Sequence, residues 1–417
     1  MSRRTLSIAT VSRFDIVRAM DEVLSDDDLL QSLAEHAEAA VTVEEEVRAV
    51  PLIADAIACI LAGSLLVPSE PFADDGAAGR VALLALRASS RDLDDVDWIS
   101  LHHPGSVVMP VVLTLARADR AGLIARAITS GYRVAATMAD LLGLEHRRRW
   151  HVTATAGALG AASAASVMLG ATRLQHVAAL SLAAANAGGI GQAALERSGA
   201  ASFNRAAAAS LGLVAARSAI AGVTATHEPL FGSRGLLALT STGEAVSTPL
   251  RHGINDAAPR VYPVSGFAQS AVTAAVGLRP HVAEPVVSLE VIVTPIAEMM
   301  CDGSAGGDWW NLRLAVARAW SRGEGFGIDD PTTEVDVLDR VIVTSAPLDS
   351  GAAEVIATTA SGRHSSAVID APRLDVNSIS LLHSKWSTVL GQDAEAVLAM
   401  ARDVAAHGTV DIDRLAR

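Results

Sequence analysis

Residues 91–106 read Arg-Asp-Leu-Asp-Asp-Val-Asp-Trp-Ile-Ser-Leu-His-His-Pro-Gly-Ser, so four carboxylates (Asp92, Asp94, Asp95, Asp97) and two imidazoles (His102, His103) crowd one short run. Acids beside histidines suit proton transfer, because a carboxylate can orient an imidazole or hold its charge near neutral pH. Pro104 lacks an N–H and biases His103 away from helical dihedrals, so the run must end in a turn. A solvated acidic loop with incidental histidines is the alternative reading. For His102 a place at the surface or behind the site fits better than a direct role.

A second candidate cluster is Trp150-His151-Val152-Thr153-Ala154-Thr155, at the head of an Ala-rich stretch. His151 is a further acid–base candidate, against an ordinary helix-start histidine satisfied by backbone groups. Thr153 and Thr155 would stand in a helix first turn, whose free N–H groups attract anions such as a substrate carboxylate. An ordinary N-cap is the competing reading. Arg147, Arg148 and Arg149 just upstream complement the preceding helix C-terminus or add positive potential to the site.

Several chemistries are disfavoured by the residues available. Lys385 is the only lysine, so Schiff-base chemistry would have to rest on it. Cys59 and Cys301 are the only cysteines, too few for an iron–sulfur cluster and no disulfide framework. Gly188-Gly189-Ile190-Gly191 follows a helical stretch, whereas a dinucleotide loop follows a strand. Neither a G-x-S-x-G elbow nor a P-loop is present. No metal site and no cofactor are expected.

The elements that must position these residues change character along the chain. Helical periodicity is expected at 12–24, 44–62, 121–142, 154–169, 172–187 and 206–221, with Gly63 and Gly170 closing two of them. After Val261-Tyr262-Pro263 the pattern turns to alternation at 286–293, 333–337, 340–343, 353–358 and 365–369, with Ser361-Gly362-Arg363 as a hairpin. A helix is expected at 312–321, and helices return after Pro372, clearest at 394–406. The expected fold is mainly α with an inserted α+β lid domain. Residues 1–261 and 373–417 would form a large all-helical domain and residues 262–372 the lid, with the ligand in the crevice between them.

At 417 residues, 50% hydrophobic and 19% charged, the chain is long and apolar enough for such a core. Aromatic residues make up only 3%, so Ala, Leu and Val must fill that core, and small residues let helices approach closely. A net charge of −13 argues against nucleic acid as a partner. The N-terminal Met1-Ser2-Arg3-Arg4 has no apolar stretch behind it, and no run reads as a membrane span, so a soluble cytoplasmic protein is expected.

Six segments, in order, resemble the MmgE/PrpD family, which includes 2-methylcitrate dehydratase, cis-aconitate decarboxylase and iminodisuccinate epimerase. They are Ala54-Asp55-Ala56-Ile57-Ala58-Cys59-Ile60-Leu61-Ala62-Gly63-Ser64, the run from Asp92 to Ser106, Gly131-Tyr132-Arg133-Val134, Trp150-His151-Val152-Thr153-Ala154-Thr155-Ala156-Gly157, Gly212-Leu213-Val214-Ala215-Ala216, and Val261-Tyr262-Pro263-Val264-Ser265-Gly266-Phe267-Ala268-Gln269. The resemblance implies a two-domain architecture with the smaller domain as a lid, a homodimer, and a cofactor-independent reaction. It implies Asp92, His103 and His151 as catalytic. The spacing from Asp92 to His103 is one residue longer here, which leaves Asp94, Asp95 and Asp97 open for the acidic role. Asp94, Asp95, Thr153, Arg205, Ser265 and Gln269 are the expected substrate-binding residues.

Three departures bear on substrate. The family's active-site lysine falls on Ala201, with Arg205 the nearest cation; the lid histidine falls on Gln269; the lid tyrosine falls near Leu314. The expected activity is that of a lyase or isomerase moving a proton at a carbon next to a carboxyl or carbonyl group, by dehydration, decarboxylation or epimerisation. The expected substrate is a small carboxylate, ketone or thioester, not a tricarboxylate. A cyclase or epimerase of a specialised biosynthetic pathway, or a non-catalytic ligand-binding protein on the same fold, is the alternative. Trp309 and Trp310 are expected at a contact or at the pocket wall.

Overall fold

The computed structural model describes residues 25–72, 76–241, 250–303, 308–323, 335–349, 351–370, 378–391 and 394–411. The helix expected at 12–24 lies outside them, as do Thr333, Glu334 and Pro372 and the side chain of Trp309.

Among the described residues, eight α-helices longer than ten residues precede residue 250: α1 (Asp26–Glu38), α2 (Val43–Gly63), α3 (Gly76–Ser89), α4 (Gly105–Leu115), α5 (Ile124–Arg147), α6 (Val152–Leu169), α7 (Arg173–Ala184) and α8 (Gly199–Ile220). Capping boxes start α1, α2 and α7, with Ser25, Thr42 and Thr172 each exchanging bonds with the residue three places on. Gly170 at φ +69° ends α6 in the left-handed turn expected of it. Gly63 serves differently, as the last residue of α2: a Cβ there would lie 2.1 Å from the Arg87 carbonyl oxygen of α3.

α6 is the central helix. It is apolar around its whole circumference and packs against α4, α5, α7 and α8. By length and composition it would suffice to cross a bilayer, contrary to the reading that no run would; 89% of that window is buried inside the protein, as a core helix must be. Its small residues set the spacing. A Cβ on Gly160 would meet the Gly131 carbonyl of α5 at 2.7 Å, and a Cβ on Gly212 of α8 would meet Ala161 at 2.4 Å. The Ala-rich faces of α6 are thus covered by the chain's own helices.

Strands β1 (Val96–Asp97) and β2 (Ala257–Ala258) pair antiparallel, and a four-stranded sheet lies within the segment where alternation placed it. Its order is β4 (Val341–Ser345), β3 (Ser288–Val293), β5 (Ala353–Thr358), β6 (Arg363–Ser365), with β3 parallel to β4 and antiparallel to β5. Helices α9 (Gln269–Leu278) and α10 (Leu312–Arg322) pack on it. Two strand expectations fail. Val335 to Val337 form a turn into a short 3-10 helix, and Ile369 makes an isolated bridge to Ala353 beyond the end of β6. The chain closes with α11 (Ser378–Leu390) and α12 (Ala394–His407), both against α2. Most of the described chain is helical, and one contiguous buried apolar cluster runs from α6 to the inner face of β3 and β5.

Candidate active site

The acidic run is folded by its own side chains. Asp97 Oδ1 accepts the N–H groups of Ile99 and Ser100, and Arg251 grips its other oxygen at 2.8 Å. Residues Val96–Asp97 pair with Ala257–Ala258, which ties the run to the segment leading into the Tyr-Pro motif. Asp95 Oδ1 accepts the Gly105 N–H at 2.8 Å, at the start of α4. Asp92 and Leu101 sit in the left-handed region at φ +52° and +49°, a conformation that non-glycine residues adopt only when their surroundings hold them. Asp97 is therefore a loop-building residue. His102 is fully buried behind the site, its Nδ1 2.8 Å from Ser100 Oγ, and it does not reach the surface.

A cavity of about 270 Å³ opens beside this run. Its helical wall carries Asp92, His103, Arg147, His151, Thr153 and Arg205. Phe267, Met300 and Trp310, from the segment expected to form the lid, close the other side. The crevice is thus where the two sequence textures meet. Among the described residues, no group of three or more His, Cys, Asp or Glu is arranged to hold a metal ion.

Of the four aspartates, Asp92 alone lines this cavity. One oxygen lies 3.1 Å from Arg260 Nη1 and 3.6 Å from Arg205 Nη2; the other is buried without a partner. Asp94 sits one layer deeper. Burial opposes its ionisation, but Arg205 at 3.0 Å, His103 and Arg260 outweigh it and hold the carboxyl down at about 2. Asp95 has no cation against it. Burial raises its carboxyl to about 7 even though Tyr132 donates to it at 2.7 Å, and the neighbouring Asp94 charge adds to the rise.

His103 Nδ1 lies 2.8 Å from the Asp95 carbonyl oxygen, which can only accept, and 3.3 Å from Arg260 Nη2, which can only donate. The shorter contact assigns the proton to Nδ1 and leaves the Nε2 lone pair free, on a ring that lines the cavity. Burial and the Arg205 charge lower this imidazole to about 4. His151 is the N-cap residue of α6, its N–H bonded to the Gly189 carbonyl. Burial, then Arg205, lowers it to about 3, and its Nδ1 has no partner. Both imidazoles are neutral at pH 7. The glycine run from Gly188 to Gly191 shapes the loop that docks on His151 and Arg149, which accounts for it without a nucleotide.

Thr153 Oγ1 accepts the His103 N–H at 3.2 Å, so it fastens the two histidine segments together. No side chain caps α6, and its first turn, Val152 and Thr153, faces the cavity. Thr155 instead holds His146 at 2.7 Å, away from the cavity. Gln269 is not at the cavity wall. Its amide accepts from the N–H groups of Val261 and Tyr262 and donates to the carbonyls of Tyr262 and Val264, which uses all four of its hydrogen-bonding positions on the Tyr-Pro turn. Ser265 lines a smaller adjoining cavity. Ala201 lines the main one, whereas Leu314 is buried in the core of the sheet segment. Lys385 is far from the cavity in function: it is buried and ion-paired with Asp55.

Trp310 lines the cavity, one of the two places expected for it, whereas Arg260 and Arg197 are site residues that the sequence reading does not name. Arg260 stands directly before Val261-Tyr262-Pro263, and that adjacency was the available signal. Arg197 lies over Trp310, 5.3 Å from the ring centroid.

A mainly helical protein with a buried acid–arginine cluster and two neutral imidazoles on one cavity has the makings of an acid–base site. Residues 80–249 match the MmgE/PrpD N-terminal domain, which supports membership of the MmgE/PrpD family. No curated protein matches the chain. Members of the family are generally enzymes of the lyase or dehydratase kind. The matched span holds Asp92, His103, His151 and Arg205 but ends before Arg260, Ser265 and Trp310.

Proposed function

We propose that the protein is a cofactor-independent lyase or isomerase that moves a proton at a carbon next to a carboxyl or carbonyl group. The observation that carries this reading is the pair His103 and His151, neutral imidazoles on one cavity, with the His103 tautomer set by the Asp95 carbonyl. His103 Nε2 takes the proton, and His151 serves the opposite face of the reacting carbon or the leaving group. Asp92 and Asp94 hold Arg205 and Arg260 in place, so the charge that develops on substrate meets fixed guanidinium groups. A substrate carboxylate seats at the uncapped first turn of α6, with Arg147 near by. Ala201 stands where the resemblance puts a lysine, and Phe267, Met300 and Trp310 add apolar wall beside Arg197, which favours a mono- or dicarboxylate, ketone or thioester over a tricarboxylate.

The test is a panel of carboxylic acids, 2-oxo acids and thioesters in D2O, followed by NMR. Deuterium should enter next to the carbonyl with the native protein and should fall by about 100-fold or more in His151→Ala and His103→Gln. The acid limb of kcat/KM should lie near pH 4, well below a free histidine. Unchanged rates in both His151→Ala and Asp92→Asn would sink the reading. Ala201, standing where the resemblance puts a lysine, favours a second reading as a non-catalytic carboxylate-binding protein. Saturable binding with no isotope exchange distinguishes it.

A further inference from the structure

A second cavity, of about 40 Å³, adjoins the main one and shares Leu101, His103, Phe267 and Trp310 with it. The volume exceeds the ~10–15 Å³ that one water requires but admits little more than one polar group. Its remaining walls include Trp98, Arg260, Ser265 and Gly266. Three polar atoms of these residues, Trp98 Nε1, Arg260 Nε and Ser265 Oγ, are buried with no hydrogen-bond partner. Ser265 has only the Cys301 thiol beside it, a weak sulfur contact. Indole and guanidinium nitrogens can only donate and a serine hydroxyl can donate, so these three atoms present unmatched donors to the space. Arg260 Nε borders the space at Gly266, where an added Cβ would lie 3.5 Å from it.

Buried donors left unmatched beside an acid–base histidine are the arrangement that an oxyanion requires. We infer that the side cavity receives one acceptor oxygen of the substrate, a carbonyl or carboxylate oxygen, on which negative charge collects during proton removal. His103 Nε2 takes the proton from the neighbouring carbon. The C–H electron pair becomes the new C=C bond, and the C=O π pair moves onto the oxygen held by Arg260 Nε and Ser265 Oγ. Return of that pair to the carbonyl accompanies reprotonation or loss of the leaving group. Dehydration, epimerisation and the reverse of decarboxylation all pass through this charge, so the subsite is indifferent to which of them occurs. Its mechanistic meaning rests on the acid–base reading above; its existence rests on its own donors.

Gly266→Ala provides the test. The added methyl would sit 3.5 Å from Arg260 Nε, Trp98 and Val96, ordinary contact distances, so the variant should fold while filling the space. Formate is the probe, measured by calorimetric titration and by crystal soaks of the native protein. A formate oxygen should appear within hydrogen-bond distance of Arg260 Nε and Ser265 Oγ. Gly266→Ala should weaken binding by about tenfold or more, and Ser265→Ala by a smaller factor. Formate seated only elsewhere in the main cavity, a water that formate does not displace, or equal affinity in the native protein and Ser265→Ala would each overturn the inference. The titration needs no turnover. A protein inactive in the D2O panel still tests the side cavity, and an occupied side cavity does not rescue a failed acid–base reading.

Discussion

Asp94 and Asp95 are sequence neighbours whose carboxyls titrate in opposite directions, at about 2 and about 7. The difference is one of partners: Asp94 meets Arg205 and Arg260, whereas Asp95 meets a tyrosine hydroxyl and a backbone N–H. Because the Asp95 carboxyl is raised on folding, the native state holds a proton that the unfolded chain releases near pH 4. That contribution to stability is fully present below the unfolded value and is lost as pH rises through about 7. His103 and His151 act with the reverse sign, because they are held neutral: their share is present above about 6.5 and lost as pH falls toward 4. Asp95→Asn keeps an acceptor for Gly105 and a partner for Tyr132 but cannot ionise. The histidine share is common to both proteins and cancels between them, so the native protein should lose stability relative to Asp95→Asn as pH rises from about 4 to 7. Melting curves at both pH values decide it, and parallel changes in the two proteins would refute the assignment. The residue types of this site were legible in the run itself. Which aspartate faces the cavity was not, because Arg260 arrives from a segment that no local spacing ties to His103.

At the scale of elements, packing follows from small residues at helix crossings. α6 has no polar stripe, so periodicity could announce a helix but not its orientation. Glycines set that: Gly131, Gly160 and Gly212 sit where a neighbouring backbone or Cβ leaves no room. Gly212→Ala would place a methyl 2.4 Å from the Ala161 Cβ and 2.6 Å from the Ala162 amide nitrogen. Backbone cannot yield as a side chain tip can, so the substitution should cost ~1–3 kcal/mol as overpacking, despite the gain in helix propensity. Urea denaturation measures it, and a variant as stable as the native protein would show that α8 slides freely on α6. Strand alternation located β3 and β5 because their inner faces are buried, packed on α9. It failed at Val335–Val337, a segment with the right residue types and no neighbour to pair with.

For the molecule as a whole, the sole lysine ties the chain's end to the site near its beginning. Lys385 of α11 is ion-paired with Asp55 of α2, and its Nζ also donates to the Leu93 carbonyl at 3.2 Å, between Asp92 and Asp94. Trp386 Nε1 adds a bond to the same Asp55 at 2.9 Å. Sequence alone made Lys385 a question of Schiff-base chemistry, since its partners lie hundreds of residues away and share no motif with it. Its observed place is that of a strut. Burial raises the Asp55 carboxyl, with Lys385 as the largest opposing influence, so removing the cation leaves an acid that must stay buried uncompensated or take up a proton. Lys385→Met should lower the unfolding free energy by ~3–5 kcal/mol. Lys385→Met with Asp55→Asn should recover most of that, because asparagine still accepts from Trp386 and carries no charge. If the strut also sets the acidic run, the double variant will regain stability while its deuterium exchange remains impaired, since the Leu93 carbonyl has lost its donor. A double variant no more stable than Lys385→Met alone would mean that the lysine stabilises α11 by packing and not by its charge.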